Sequence, residues 1–266
     1  MARVSIIMGI YNCAETLHTA IESILGQTYT DWKLIMCDDG SKDHTYNVAK
    51  GYQKRHPEKI TLIQNEKNMG LNYTLNRCLE FADSEYVARM DGDDISLPTR
   101  LEKEVQFLDE HPEYAIVSCP MIYFNEQGDF MTGKGNGEVI INSIARTTPH
   151  CHAPCMVRKE AYDAVNGYTV AKKRLRMEDW DLWIRMYAKG FRGFNLQEPL
   201  YKMFDGRDAY KRRAFKFRVN EARMSAFATK ELHLSPTNYV YCLRPILVWM
   251  LPSPVYNYLH KRKTRG

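Results

Sequence analysis

Along residues 4–10, VSIIMGI, apolar side chains occur at almost every position rather than at every second one. That pattern predicts a β-strand covered on both faces. Residues 15–27, ETLHTAIESILGQ, switch to helical spacing, with Leu17, Ala20, Ile21 and Ile24 on one stripe. The alternation then repeats. WKLIMCDDGS reads as a second strand and KDHTYNVAKGYQKRH as a helix stopped by Pro57. ITLIQNEKN is a third strand, GLNYTLNRCLEFADS a third helix and YVARM a fourth strand. This order predicts an α/β fold with a mostly parallel central sheet and helices on both faces. Ligands bind such sheets at the carboxyl ends of strands, where CDDGS and MDGDD fall.

Beyond residue 114 the rhythm loosens. YAIVSCPMIYF predicts one more strand, and NEQGDFMTGKGNGE a turn-rich hairpin or loop. RKEAYDAVNGY and EDWDLWIRMYAKG predict short helices, the second closed by Gly190. No repeat, low-complexity tract or interdomain linker is visible.

Composition adds one asymmetry. With 44% hydrophobic and 26% charged residues, the 266-residue chain can bury an ordinary globular core. Its net charge of +5 sums two unequal parts: residues 202–266 hold 14 Lys and Arg against 4 Asp and Glu, a local +10, and residues 1–201 carry −5. An anionic partner is expected for the basic part. The seven cysteines are odd in number and several sit in apolar runs, the pattern of a reduced, cytosolic chain. MARVSIIMGIYN has too short an apolar run for a leader peptide and is read as the first strand.

The acids of YVARMDGDD (86–94) raise the chemical question. An apolar strand runs into Asp91, Asp93 and Asp94, with only Gly92 between them. Carboxylates that close repel, and some stay protonated unless a cation neutralises them. Asp91 and Asp93 can both reach one hard cation, Mn²⁺ or Mg²⁺, that shares a substrate's phosphate oxygens. A solvated acidic turn is the bland alternative, and an Asp-Gly-Asp alone does not decide between them.

Four motifs taken in order do decide. VSIIMGIYN, CDDGS, NMGLNYTLNRCLEFADSEYVARMDGDDISLPTRLE and EDWDLWIRM span residues 4 to about 190. With them the chain resembles the family 2 inverting glycosyltransferases of the GT-A nucleotide-binding fold, in their bacterial surface-polysaccharide form. Two departures stand out: MGIYN lacks the usual proline, and NGY at 166–168 replaces a frequent Gly-Gly pair. The resemblance implies roles by position. Ile10 and Tyr11 line the nucleobase site, while Asp38 and Asp39 accept hydrogen bonds from uracil and ribose. Asn68 and Arg89 contact the nucleotide or its phosphates. Asp91 lies near ribose or metal, Asp93 is the principal metal ligand, and Asp94 stands behind both. Asp179 deprotonates the acceptor hydroxyl, Glu178 positions acceptor or base, and displacement in one step inverts the anomeric centre. Asp181 is read instead as an acid favoured in a helix's first turn.

Three other clusters were weighed. HCHAPC (150–155) could suggest zinc, but no second Cys/His pair lies at a structural spacing, and a place near the substrate is left to His150 or His152. FDGRDAYKRRAFKFR gathers Arg207, Lys211, Arg212, Arg213, Lys216 and Arg218, either as a phosphate clamp or as a solvated basic face; the family's frequent His beside it is missing. The C-terminal stretch is broken by Arg244, Pro245, Pro252 and Pro254 and falls short of the ~20 residues that span a bilayer. Trp249, the tyrosines and KRKTR are expected to anchor it on anionic lipid, the alternative being a C-terminal helix packed on its own domain and followed by a frayed basic tail. No nucleic-acid-binding module accompanies the basic residues.

The expected organisation is a catalytic domain over 1–201, with a nucleotide-binding half to about 110 and an acceptor half from about 111, then a basic amphipathic extension over 202–266. The expected activity moves a sugar from a nucleotide donor, UDP-linked by preference, to a lipid-linked saccharide in capsule or O-antigen synthesis. It would work in the cytoplasm, peripheral on the inner face of the membrane. A nucleotidyltransferase is the rival enzyme, but no Gly-rich phosphate loop bearing Lys or Arg follows the first strand. A non-catalytic nucleotide-sugar-binding protein would leave the implied base without a task.

Overall fold

The computed structural model describes residues 2–205 and 215–250. Its first half follows the predicted alternation: β1 (Val4–Ile10), α1 (Ala14–Leu25), β2 (Trp32–Asp38), α2 (Thr45–Arg55), β3 (Ile60–Gln64), α3 (Leu71–Leu79) and β4 (Tyr86–Asp91). The second half is made of shorter pieces: β5 (Ile95–Ser96), α4 (Arg100–Glu110), β6 (Ile116–Ser118), β7 (Met121–Asn125), β8 (Gly128–Thr132), β9 (Gly137–Glu138), β10 (Met156–Arg158) and α5 (Lys159–Ala164). Then come α6 (Glu178–Ala188), β11 (Gly193–Asn195), β12 (Tyr201–Phe204), α7 (Phe215–Glu231) and α8 (Arg244–Met250).

The large sheet runs β3-β2-β1-β4-β10-β6-β11-β9, and a small one runs β5-β12-β7-β8. The four strands β3-β2-β1-β4 are parallel, as predicted. β10 enters antiparallel between β4 and β6, pairing Met156 with both Ala88 and Val117. Alternate residues of β1 feed two cores, which explains its unbroken apolar run. Val4, Ile6, Met8 and Ile10 pack with α1, α2 and α4, whereas Ile7 packs on the face covered by α3, α5, α6 and α7. Both faces are dry.

One buried ion pair ties the layers. Arg100 and Glu104, a turn apart on α4, are both fully buried, with Nε 3.2 Å from Oε2. Arg100 Nη2 also donates to the carbonyls of Arg89 (2.9 Å) and Cys155 (3.3 Å), joining α4 to β4 and to the approach of β10. Burial pushes the Glu104 carboxyl up to about 7, against the pull of Arg100.

Two expectations are corrected. YAIVSCPMIYF is not one strand: β6 stops at Ser118, and the chain crosses to the small sheet through Cys119-Pro120. Proline supplies no N–H for a ladder and ends a central strand. The expected domain edge between 201 and 202 falls inside β12, which pairs with β7 and β5 through Tyr201 and Lys202. Downstream, α7 contributes Met224 and Ala228 to the second core. The folded unit therefore continues through the described part of the extension. Arg207, Lys211, Arg212, Arg213 and the KRKTR of 261–265 lie outside the described residues. Among the described residues no helix is long and apolar enough to cross a membrane.

Candidate active site

The parallel register collects the chemistry at one edge. Ile10 pairs with Asp38 across β1 and β2, and Gly9 with Asp91 across β1 and β4. Ile10 is buried at the floor, and Tyr11 stands 44% exposed beside it. Asp38 is held from within: Oδ1 accepts from Ser41 Oγ (2.5 Å), and Oδ2 from Gln64 Nε2 (2.9 Å). Asp39 is committed further. Its Oδ1 accepts from Asn65 Nδ2 (2.9 Å) and the Met69 N–H (2.8 Å), and its Oδ2 from the Gly70 N–H (2.9 Å). The carboxylate thus builds the loop that carries exposed Asn68 to the edge. Gly40 lets this loop close: it adopts φ +69°, and a Cβ would lie 2.7 Å from the Lys67 backbone.

The three acids after β4 have separate fates. Asp91 is paired, Arg89 Nη2 donating to its Oδ1 at 2.5 Å. Asp94 is buried, accepts the Phe204 N–H at 2.8 Å and so fastens the loop to β12. Burial first, then the charges of Asp91 and Asp93, push its carboxyl up to about 8. Asp93 is exposed at the surface of the loop, yet desolvation and then the Asp91 charge raise its pKa. The turn needs glycine in its middle, because a Cβ on Gly92 would come within 2.9 Å of Cys13 Sγ. Among the described residues no group of three or more His, Cys, Asp and Glu side chains could hold a metal ion. Two carboxylates remain, Asp91 and Asp93. Their hard oxygens and mutual repulsion suit a divalent cation that takes its other ligands from substrate and water.

Asp179 lies in the first turn of α6, in the wall of a cavity of about 420 Å³ shared with Tyr123, Lys134, Thr148, Cys151 and His152. Thr148 Oγ1 donates to its Oδ2 at 3.1 Å. Burial raises the Asp179 pKa, while the Trp180 backbone N–H, then Thr148 and the Arg89 charge, pull it back. A carboxylate raised in this way is a better base near neutral pH than a solvated one. Neighbouring Glu178 accepts the Arg176 N–H at 2.9 Å. Asp181 does the structural work expected of it, buried between Arg174 (2.7 Å) and Arg185 (2.8 Å). Arg89 is the link that sequence reasoning undervalued. It is buried, its Nε has no hydrogen-bond partner among the described residues, and its charge acts on Asp91, Asp93 and Asp179.

Thr148 was missed, and an isolated Thr two residues before HCHAPC offers no signal. His150 is a wall of the site: Nδ1 donates to Asn195 Oδ1 (2.8 Å), and Nε2 accepts from Tyr187 (3.0 Å). Burial pushes it down to about 4, so it is neutral. His152 meets the Tyr168 hydroxyl at 2.9 Å and also lines the cavity.

A family model described as Glycosyl transferase family 2 matches residues 5–165, more than half of the chain. The chain belongs to glycosyl transferase family 2. Among similar proteins of this family, the putative glycosyltransferase EpsE of Bacillus subtilis (strain 168) is 43% identical over 98% of this chain and 94% of its own length. The Escherichia coli protein named UDP-Glc:alpha-D-GlcNAc-diphosphoundecaprenol beta-1,3-glucosyltransferase WfaP is 28% identical over 77% of this chain and 79% of its own. The solved structure of S. aureus TarS 1–349 in complex with UDP-GlcNAc superposes with a TM-score of 0.70 at 18% identity, covering 91% of this chain and 70% of that one. The fold is thus the GT-A glycosyltransferase fold, and the family 2 match covers β1 through α5, including the edge where Asp38, Asp91 and Asp93 stand. Asn166 and Gly167 adopt left-handed backbone at φ 54° and 66°, a conformation Asn tolerates better than most residues.

Proposed function

We propose that this glycosyltransferase inverts the anomeric centre as it moves a sugar from a UDP-sugar to a lipid-linked saccharide in surface-polysaccharide synthesis. The observation that carries the reading is the meeting of two groups of acids around Arg89, Asp91 with Asp93 on one side and Asp179 on the other. The names of WfaP and the UDP-GlcNAc complex of TarS support the choice of donor, and WfaP supports the acceptor class.

Tyr11 packs on the base, and Asn68 reaches the nucleotide from the loop that Asp39 shapes. Asp91 and Asp93 would hold Mn²⁺ or Mg²⁺, which when bound stabilises negative charge on the leaving diphosphate. Asp179 takes the proton of the acceptor hydroxyl, with Thr148 fixing one carboxylate oxygen. The acceptor oxygen bonds to the anomeric carbon as the bond from that carbon to the diphosphate oxygen breaks on the opposite face. Calorimetric UDP binding should weaken at least about tenfold in EDTA and in Asp93→Asn, since a lost charge-assisted contact is worth that much. Undiminished binding under both treatments would remove the metal from this account.

The enzyme is read as peripheral on the membrane's inner face. In α8 and the turn before it, Val240, Leu243, Leu247 (60%), Trp249 and Met250 (67%) are exposed. Such an apolar face seats at the headgroup boundary. Leu243→Glu with Leu247→Glu should reduce sedimentation with anionic liposomes by about 10²-fold, given the burial worth of two leucines, and leave UDP affinity unchanged. Equal sedimentation of variant and wild type would make this face structural.

A further inference from the structure

A second opening lies beside the catalytic helix, and the chemistry above does not use it. It is a groove of about 290 Å³ between the loop after Asn68 and the segment that leads into α6, with Glu178 in its wall. Its lips are tied together: Asn72 Nδ2 donates to the Thr169 carbonyl at 2.7 Å. Met69, Leu71, Val170 and Leu175 line it, all large apolar groups left exposed, Val170 at 56%. Lys172 stands in its lining and Lys173 is next to it in sequence, both exposed and neither in an ion pair among the described residues.

This composition fits neither a bare nucleotide nor a bare saccharide. A sugar ring needs convergent hydrogen-bonding groups, and the floor offers hydrocarbon. A free phosphate has no use for that floor. An apolar chain ending in an anionic diphosphate matches both parts at once. The segment that carries Leu175 also packs on α7, whose first residue touches α8. The Leu175 carbonyl accepts from Asn220 Nδ2 (3.3 Å) on α7, and the Arg176 guanidinium lies over the Phe217 ring (4.6 Å). Phe215, one turn-start earlier, packs its ring 4.7 Å from Trp249.

We propose that this groove seats the isoprenoid diphosphate of the acceptor. The chain lies along Met69, Leu71, Val170 and Leu175, the diphosphate meets Lys172 and Lys173, and the attached sugar is delivered toward Asp179. The inference rests on the lipid-linked acceptor reading above and makes it specific.

Farnesyl diphosphate is a suitable probe, titrated calorimetrically with UDP saturating so that the donor site is filled. Wild type should bind it at least about tenfold tighter than farnesol or inorganic diphosphate, since each lacks one half of the match. Val170→Asp with Leu175→Asp, and separately Lys172→Glu with Lys173→Glu, should each weaken it by about tenfold or more at unchanged UDP affinity. Three results would overturn the proposal: inorganic diphosphate binding as well as the prenyl compound, variants indistinguishable from wild type, or equal affinity for dihexanoyl phosphatidylglycerol, which would make the groove a general lipid contact. Failure of wild type to bind UDP would instead strike the donor reading, and the farnesyl diphosphate isotherm would still judge the groove.

Discussion

Replacing Asp179 with Asn is expected to lower turnover by about 10²–10⁴-fold with UDP affinity unchanged, the cost of losing a positioned general base. Asn keeps the size and can still accept from Thr148 Oγ1, which lies 3.1 Å from Asp179 Oδ2, but it cannot take a proton. Steady-state kinetics and UDP calorimetry on the same preparation separate the two effects. A companion variant tests how the base is tuned. The Thr148 hydrogen bond holds the Asp179 pKa below what burial alone would give. Thr148→Val should therefore move the acid limb of turnover to higher pH, because the base is protonated further up the scale. Normal turnover in Asp179→Asn would transfer the role to Glu178, whose pKa is also raised by burial.

The largest effect on stability is expected at Arg100. Arg100→Met should cost about 3–5 kcal/mol, because it strands the buried Glu104 carboxylate. The loss should depend on pH, and its sign follows from linkage. Glu104 sits near 7 in the folded protein against an ordinary 4.5, so the native state binds its proton more tightly. Stability from this group is present at low pH and is lost as pH rises through that window. Without Arg100 the carboxyl rises further, so urea unfolding at pH 6 should show a smaller deficit than at pH 8.5. Arg100→Met combined with Glu104→Leu should recover most of the loss, since no uncompensated charge then remains. A deficit of the same size at both pH values, or no recovery in the double variant, would put the cost in packing.

What the sequence disclosed follows from how each element is buried. β1, β2 and β4 were legible because both their faces are dry, so apolar runs mark them, and the turns at Gly40 and Gly92 carry their own chemistry. α7 is not legible in the sequence as a core-packing helix, for a physical reason. Its buried face mixes Asn220, Ser225 and Thr229 with Met224 and Ala228, so no apolar stripe reveals it. Asp39 was expected at the nucleotide, and no spacing rule shows that Asn65, Met69 and Gly70 occupy its oxygens. Arg89 was named by resemblance as a nucleotide contact, but nothing in YVARM shows that its buried charge acts on Asp91, Asp93 and Asp179.

The insertion of β10 between β4 and β6 bears on how such enzymes diversify. The strand follows the segment that lines the cavity around Asp179, yet it completes the sheet that carries Asp38 and Asp91. The two halves of the sheet are therefore joined through one shared ladder, Met156 against Ala88 on one side and Val117 on the other. A chimera that exchanges only the front portion between two homologues must inherit a matching seam, or it leaves β4 with an unpaired edge open to intermolecular association.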